Sequence, residues 1–181
     1  PIVNKIIKKV KNVKSIVNNV TSRKAGVSIG EYEINLYGKN VIQEIINDLK
    51  FNISANSFFQ TNTKQTEILY SKIITDSKLN GDEVIYDLYC GTGTIGISMA
   101  KYAKQVYGFE INEFAIENAK ENAKINNISN VSFFKGDLQN IFRVNLDTEK
   151  IKKPDIIIID PPRAGMHNKT IRDITTKEPK K

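Results

Sequence analysis

Cysteine, histidine and long apolar runs are scarce in this sequence, and each shortage excludes a class of protein. Cys90 is the one cysteine in 181 residues, so neither an internal disulfide framework nor a multi-cysteine metal site can form within the chain. His167 is the one histidine. It lies far along the chain from Cys90, which argues against a Cys–His nucleophilic pair. No apolar stretch is long enough to span a bilayer and no signal-peptide pattern is visible, so a cytoplasmic protein with no membrane partner is expected. Repeats and low-complexity tracts are also missing.

A hydrophobic content of 40% is enough for a real core. The net charge of +7 and pI near 9.3 favour an anionic partner, nucleic acid being the usual one. The abundance of Ile, Asn and Lys fits an AT-biased composition equally well. The chain opens on Pro1 and stops soon after the Asp160 segment, and so reads as an internal piece of a longer protein.

The run Ile156-Ile157-Ile158-Ile159-Asp160-Pro161-Pro162-Arg163-Ala164-Gly165 is the densest signal. Four consecutive β-branched residues predict a strand buried on both faces. The two prolines end it and hold Asp160 at its carboxyl end, where ligands sit in open α/β sheets. The segment up to Ser54 is basic and strand-like. Strands are expected at Ser15 to Val20 and Leu49 to Ile53, with a hairpin over Val27 to Tyr37 turning at Gly30-Glu31. Next comes a helix capped by Asn62 or Thr63 and running to about Ser77, with Ile68, Leu69, Ile73 and Ile74 on its apolar face. From there strands and helices alternate. Strands are expected at Val84 to Leu88, Gln105 to Glu110, Val131 to Phe134 and Asp155 to Asp160. Helices are expected at Gly93 to Lys101, Asn112 to Asn126 and Leu138 to Phe142. Such alternation predicts βαβ units, a parallel sheet and an α/β fold.

Between the first of these strands and its helix, Gly91, Gly93 and Gly96 match G-x-G-x-x-G, and Glu110 closes the next strand. That pattern alone would suit a nicotinamide dinucleotide. Asp87, immediately before the turn, would repel a pyrophosphate at the helix N-terminus. It suits a cation instead, and S-adenosylmethionine carries an ammonium and a sulfonium. Glu110 is then placed to accept hydrogen bonds from the ribose hydroxyls. Asp137 ends the third strand, as an adenine contact, a helix N-cap or both. Cys90 reads as a small apolar residue in a tight turn rather than a thiolate, and His167 as a solvated loop residue. Lys5, Lys8, Lys9, Lys11 and Lys14 could meet RNA phosphates or form a solvated face.

Three motifs, Ser57-Phe58-Phe59-Gln60-Thr61-Asn62, Asp87 to Gly93 and Asp160-Pro161-Pro162-Arg163-Ala164-Gly165, occur in the order found in the RNA 5-methyluridine methyltransferases. Those enzymes act on uracil in tRNA or ribosomal RNA. The chain resembles that family over essentially its whole length, including Lys14-Ser15-Ile16-Val17. The resemblance implies a truncated Rossmann-like S-adenosylmethionine-dependent methyltransferase domain over 57–181. Residues 1–56 would be part of an antiparallel α+β RNA-recognition module. It further implies that Gln60, Tyr89 and Glu110 contact the donor and that Asp160 lies between donor and uracil in the target-base pocket, with Arg163 beside it; Gly91 and Asp137 are expected donor contacts by their places in the turn and at the strand end. Of Phe58 and Phe59, at least one is expected in the core.

The family's chemistry needs a cysteine thiolate that adds to C6 of uracil, so that C5 can take the methyl group. A general base then removes the C5 proton. By the resemblance, the cysteine lies on a strand beyond Lys181 and the base, a glutamate, farther on, so this chain alone is expected to be inactive. Ribosomal RNA is the expected substrate ahead of tRNA, and the full-length protein is expected to be a monomer. Three other readings stand beside this one: a base amino-methyltransferase, a nicotinamide oxidoreductase and a non-catalytic RNA-binding module. Missing final strands would leave an apolar sheet edge unpaired and the isolated piece poorly soluble.

Overall fold

The computed structural model describes residues 2–22, 30–138, 151–163 and 165–181. At its centre, four parallel strands each follow a helix or loop crossover. They are β5 (Val84–Leu88), β6 (Gln105–Glu110), β7 (Val131–Lys135) and β8 (Ile156–Ile159), in the spatial order β7-β6-β5-β8. The order reverses between β5 and β8, which opens a crevice at their carboxyl ends. β5 is buried at every position because it has a strand on each side and side chains packed on both faces.

Alternation along the strands sorts the core into two layers. Ile85, Val106 and Ile156 point into one cluster, together with Tyr70, Ile97 and Met99. Tyr86, Leu88, Tyr107, Phe109 and Ile174 form the other. The first layer is covered by α2 (Thr63–Ser77), α3 (Thr94–Ala100) and α4 (Glu113–Ile125), and Ile174 of the second comes from α5 (Asn168–Thr175). No described helix is long and apolar enough to cross a membrane.

Before this sheet come α1 (Ile2–Lys9) and two antiparallel ribbons. β1 (Ser15–Val20) pairs with β2 (Tyr32–Gly38), and β3 (Val41–Ile46) with β4 (Leu49–Ser54). Ile46 and Leu49 pair across Asn47 and Asp48, both at positive φ (47° and 66°), as a two-residue hairpin turn requires.

Several expectations change. The segment expected to be strand-like opens with a helix, because Ile2, Val3, Ile6, Ile7 and Val10 follow a period of 3.6 rather than 2. Tyr32–Gly38 is one strand, paired with β1; the first arm of the hairpin expected over Val27 to Tyr37 lies outside the described residues. The helix expected at Leu138 to Phe142 also lies outside them, except for Leu138 itself. On α2, Ile68 and Leu69 are exposed. Thr66, Tyr70 and Ser77 are buried instead, since Tyr70 reaches the sheet and turns that pair outward. β8 is buried at Ile156 but exposed at Ile159, because it has fewer neighbours than β5. Its outer edge is partly paired, against expectation. Lys180 N and Lys181 N donate to Asp155 O (2.8 and 3.3 Å), and Ile157 N donates to Lys181 O (3.1 Å). The two bonds made by Lys181 have the geometry of a parallel bridge to Ile156.

Candidate active site

Each strand of the parallel sheet carries an acid at or close to its carboxyl end. In sheet order these are Asp137 after β7, Glu110 on β6, Asp87 on β5 and Asp160 after β8. The inner two are held by backbone. Glu110 Oε2 accepts from Gly91 N (3.1 Å), and Oε1 from Ile111 N and Asn112 N (2.8 Å each). The carboxylate thereby fixes the turn after β5 to the end of β6, while remaining half-buried.

Asp87 is 1% exposed. Its Oδ2 accepts from Gly96 N at 2.8 Å, in the first turn of α3. Gly93, the N-cap of that helix, has no side chain to offer, so a carboxylate from the neighbouring strand caps it. Oδ1 is buried with no hydrogen-bond partner. Burial raises this carboxyl to about 7; the Gly96 N–H opposes the rise, and the charges of Asp160 and Glu110 add to it. With Asp160 and Glu110 near enough to disfavour its charge and one oxygen unsatisfied, Asp87 is suited to face a positively charged ligand.

The glycines of the turn have distinct reasons to be glycine. A Cβ on Gly93 would lie 2.7 Å from the Phe133 ring, and one on Gly96 would lie 3.0 Å from Asp87 Oδ2. These two are packing requirements. Gly91 has φ +52° and open space where a Cβ would be, so its surface faces the crevice. Tyr89 takes φ 62° and is half-buried. Burial raises its hydroxyl, with Asp137 and Glu110 adding to the shift, so the ring lies within reach of both acids. Cys90 is buried, and desolvation with the nearby Asp87 and Glu110 charges drives its thiol well above the usual range. A thiol so held is not a nucleophile, in keeping with the packing role expected for it.

Asp160 and Arg163 are exposed at the mouth, and Gly165 N closes a turn onto Pro162 O (2.8 Å). His167 caps α5, its Nδ1 accepting from Lys169 N at 3.3 Å. Gln60 is half-buried on the segment joining β4 to α2, and among the described residues no hydrogen bond ties it to the row of acids. Phe59 packs on Phe51 with centroids 6.2 Å apart, whereas Phe58 is 73% exposed.

Two contributors had no motif to mark them. Tyr70, from α2, bonds Thr94 Oγ1 at 2.7 Å. Burial pushes its hydroxyl up to about 12; the Thr94 bond opposes this, and Asp87 and Asp160 add to it. Tyr70 thus ties α2 to the first residue of α3, next to the glycine turn. Asn122 of α4 is fully buried and donates to Thr92 O in the glycine turn at 3.1 Å. Helical spacing from Asn118 and Asn126 was the available signal for it.

Comparison with known proteins agrees with this geometry. A family model described as a methyltransferase domain matches residues 79–177. A Chlorobaculum tepidum protein called an uncharacterized RNA methyltransferase is 45% identical over 167 residues, 92% of this chain and 35% of that protein. One of the same description from Enterococcus faecalis is 40% identical over 180 residues, 99% of this chain and 39% of its own length. Among solved structures, the Pyrococcus abyssi tRNA (uracil-54, C5)-methyltransferase in complex with S-adenosyl-L-homocysteine superposes with a TM-score of 0.72 at 35% identity. It covers 93% of this chain and 40% of that one. The chain thus spans about two fifths of the proteins it matches. Its fold is the Rossmann-like fold of S-adenosylmethionine-dependent methyltransferases, preceded by antiparallel ribbons. The unsatisfied buried oxygen of Asp87 and the open face of Gly91 fit the cationic donor. By strand order, glycine turn and sequence match alike, this chain belongs to the methyltransferase-domain family.

Proposed function

We propose that residues 57–181 bind S-adenosylmethionine within an enzyme that methylates C5 of a uridine in RNA, and that residues 1–56 are part of its RNA-recognition module. The observation that carries this reading is the buried, unpartnered Oδ1 of Asp87, with Asp160 and Glu110 beside it at the switch point of the sheet. Bound there, the donor supplies an electrophilic methyl group. Asp87 balances its positive charge and Glu110 receives its ribose hydroxyls. Gly91 lets it approach the turn, Tyr89 packs on it, and Asp137 faces the adenine. Gln60 meets the donor's amino-acid end or the base. Asp160, exposed between the donor crevice and solvent, holds the target base, with Arg163 beside it.

The buried, protonated Cys90 is not the thiolate that uracil C5 chemistry requires. That cysteine is proposed to follow Lys181. Lys181 bonds parallel to β8 beside Ile156. A strand continuing in that register comes level with Asp160 four residues on, at the mouth of the crevice.

Ribosomal RNA in the cytoplasm is the proposed target, on the resemblance to bacterial family members; the Pyrococcus abyssi structure makes tRNA the alternative. Charge supports an RNA surface at the N-terminal end. Pro1 to Gly30 hold seven lysines and arginines and no acid, so the other 151 residues, with 20 of each sign, are neutral. Methyl transfer by the intact protein to separated ribosomal RNA and tRNA, read by nucleoside mass spectrometry, tests the proposal. 5-Methyluridine in ribosomal RNA is expected. 5-Methyluridine in tRNA alone would replace the substrate, and a methylated adenosine or guanosine would overturn the reaction.

A further inference from the structure

The outer edge of β4 is paired with side chains instead of a strand. Asn126 Oδ1 accepts from Lys50 N (2.9 Å), and its Nδ2 donates to Lys50 O (2.6 Å). Asn122 does the same for Asn52, accepting from N at 2.7 Å and donating to O at 3.2 Å. Asn118 Oδ1 accepts from Ser54 N at 2.9 Å and from Ser57 Oγ at 3.0 Å. The spacing explains the match. Four helical residues advance ~6 Å, and two strand residues advance ~6.8 Å. Asparagines four apart on α4 therefore meet alternate residues of β4, each amide imitating a peptide group.

Asn122 differs from the other two. It is 0% exposed, and its Nδ2 also donates to Thr92 O at 3.1 Å, between the two glycines of the donor turn. One side-chain amide thus joins the backbone of the N-terminal ribbon to the backbone of the turn. We infer that Asn122 is a positioning residue for S-adenosylmethionine, setting the Tyr89-to-Gly93 turn against β4, so that donor affinity depends on the N-terminal ribbon being docked. The inference rests on the proposed donor site. Asn126 makes the same contacts to β4 but none to the turn, which makes it the internal control. Removing Asn122 leaves Asn52 N, Asn52 O and the buried Thr92 O without their partner, whereas Asn122→Asp keeps an acceptor for Asn52 N and removes the donor to both Asn52 O and Thr92 O.

The test compares Asn122→Asp, Asn122→Ala and Asn126→Ala with the unmutated intact protein, measuring S-adenosylmethionine affinity by calorimetry and melting temperature in parallel. Amide spectra of Gly91 and Gly93 without ligand provide a readout that general loss of stability does not move. Both Asn122 variants should bind the donor at least tenfold more weakly and shift both glycine amides, while Asn126→Ala should melt lower with donor affinity within twofold. Two results would overturn the inference: unshifted glycine amides with unchanged affinity in a folded Asn122→Asp, or equal loss of affinity in Asn126→Ala. No donor binding by the unmutated protein would instead remove the proposed function on which the inference stands.

Discussion

Asp87 faces two ways, one oxygen capping α3 and the other buried without a partner, and its acidity follows from that. Its carboxyl sits at about 7 in the fold against 3.8 in the open chain. A raised acid lowers stability as pH climbs from the unfolded value through the folded one, and the whole penalty is present above it. Asp87→Asn removes that penalty, so the variant should melt on the order of 5 °C higher near pH 8, with the gap narrowing as pH falls below about 7 and closing near the unfolded value of 3.8. A cationic donor favours the ionised carboxylate. Its binding should therefore release a proton near neutral pH and tighten as pH rises through 7. Calorimetry in buffers of different ionisation enthalpy reads the proton directly, and a buffer-independent enthalpy would sink the idea. Gly93 is limited by shape. A methyl group there meets Phe133 at 2.7 Å with φ at +78°, so Gly93→Ala should lose about 2 kcal/mol in urea unfolding. The acids were legible in the sequence because each lies at or near the end of a strand-like run. Tyr70 was not, because its importance comes from where α2 packs and its neighbours in sequence do not reveal that.

At the scale of elements, side-chain amides hold the ribbons to the sheet domain. Asn126 is half-exposed and makes two bonds to Lys50, so Asn126→Ala should lower stability by about 1–2 kcal/mol in chemical denaturation. A change within error would mean that water replaces the amide at no cost. The parallel strands were legible because runs of Val and Ile bounded by glycine and acids leave little choice. The ribbons were less so. β3 went unread because Ile45, half-exposed in the structure, blurs its alternation, although the Asn47-Asp48 turn marks it. The asparagines of α4 stand in a sequence whose general abundance of Asn fits an AT-biased composition. Their helical spacing is visible in the sequence, but what the stripe serves is not known until the strand edge is.

Over the whole molecule, charge and chemistry are separated. The basic excess lies in the first 30 residues and the acids of the crevice in the sheet domain. RNA affinity and donor affinity should then respond to different changes. Replacing Lys5, Lys8 and Lys9 together by alanine should flatten the salt dependence of RNA binding, by roughly one unit in slope for each phosphate no longer neutralised, with donor affinity unaltered. Filter binding across a salt series checks this, and an unchanged slope would move the RNA surface elsewhere. The asparagine stripe also bears on modular redesign. A foreign recognition module grafted in place of residues 1–56 would arrive with a strand edge shaped for some other helix. Residues 1–56 moved into another host would in turn leave Asn118, Asn122 and Asn126 behind, so a transferable cassette would have to include one face of α4 with the ribbon.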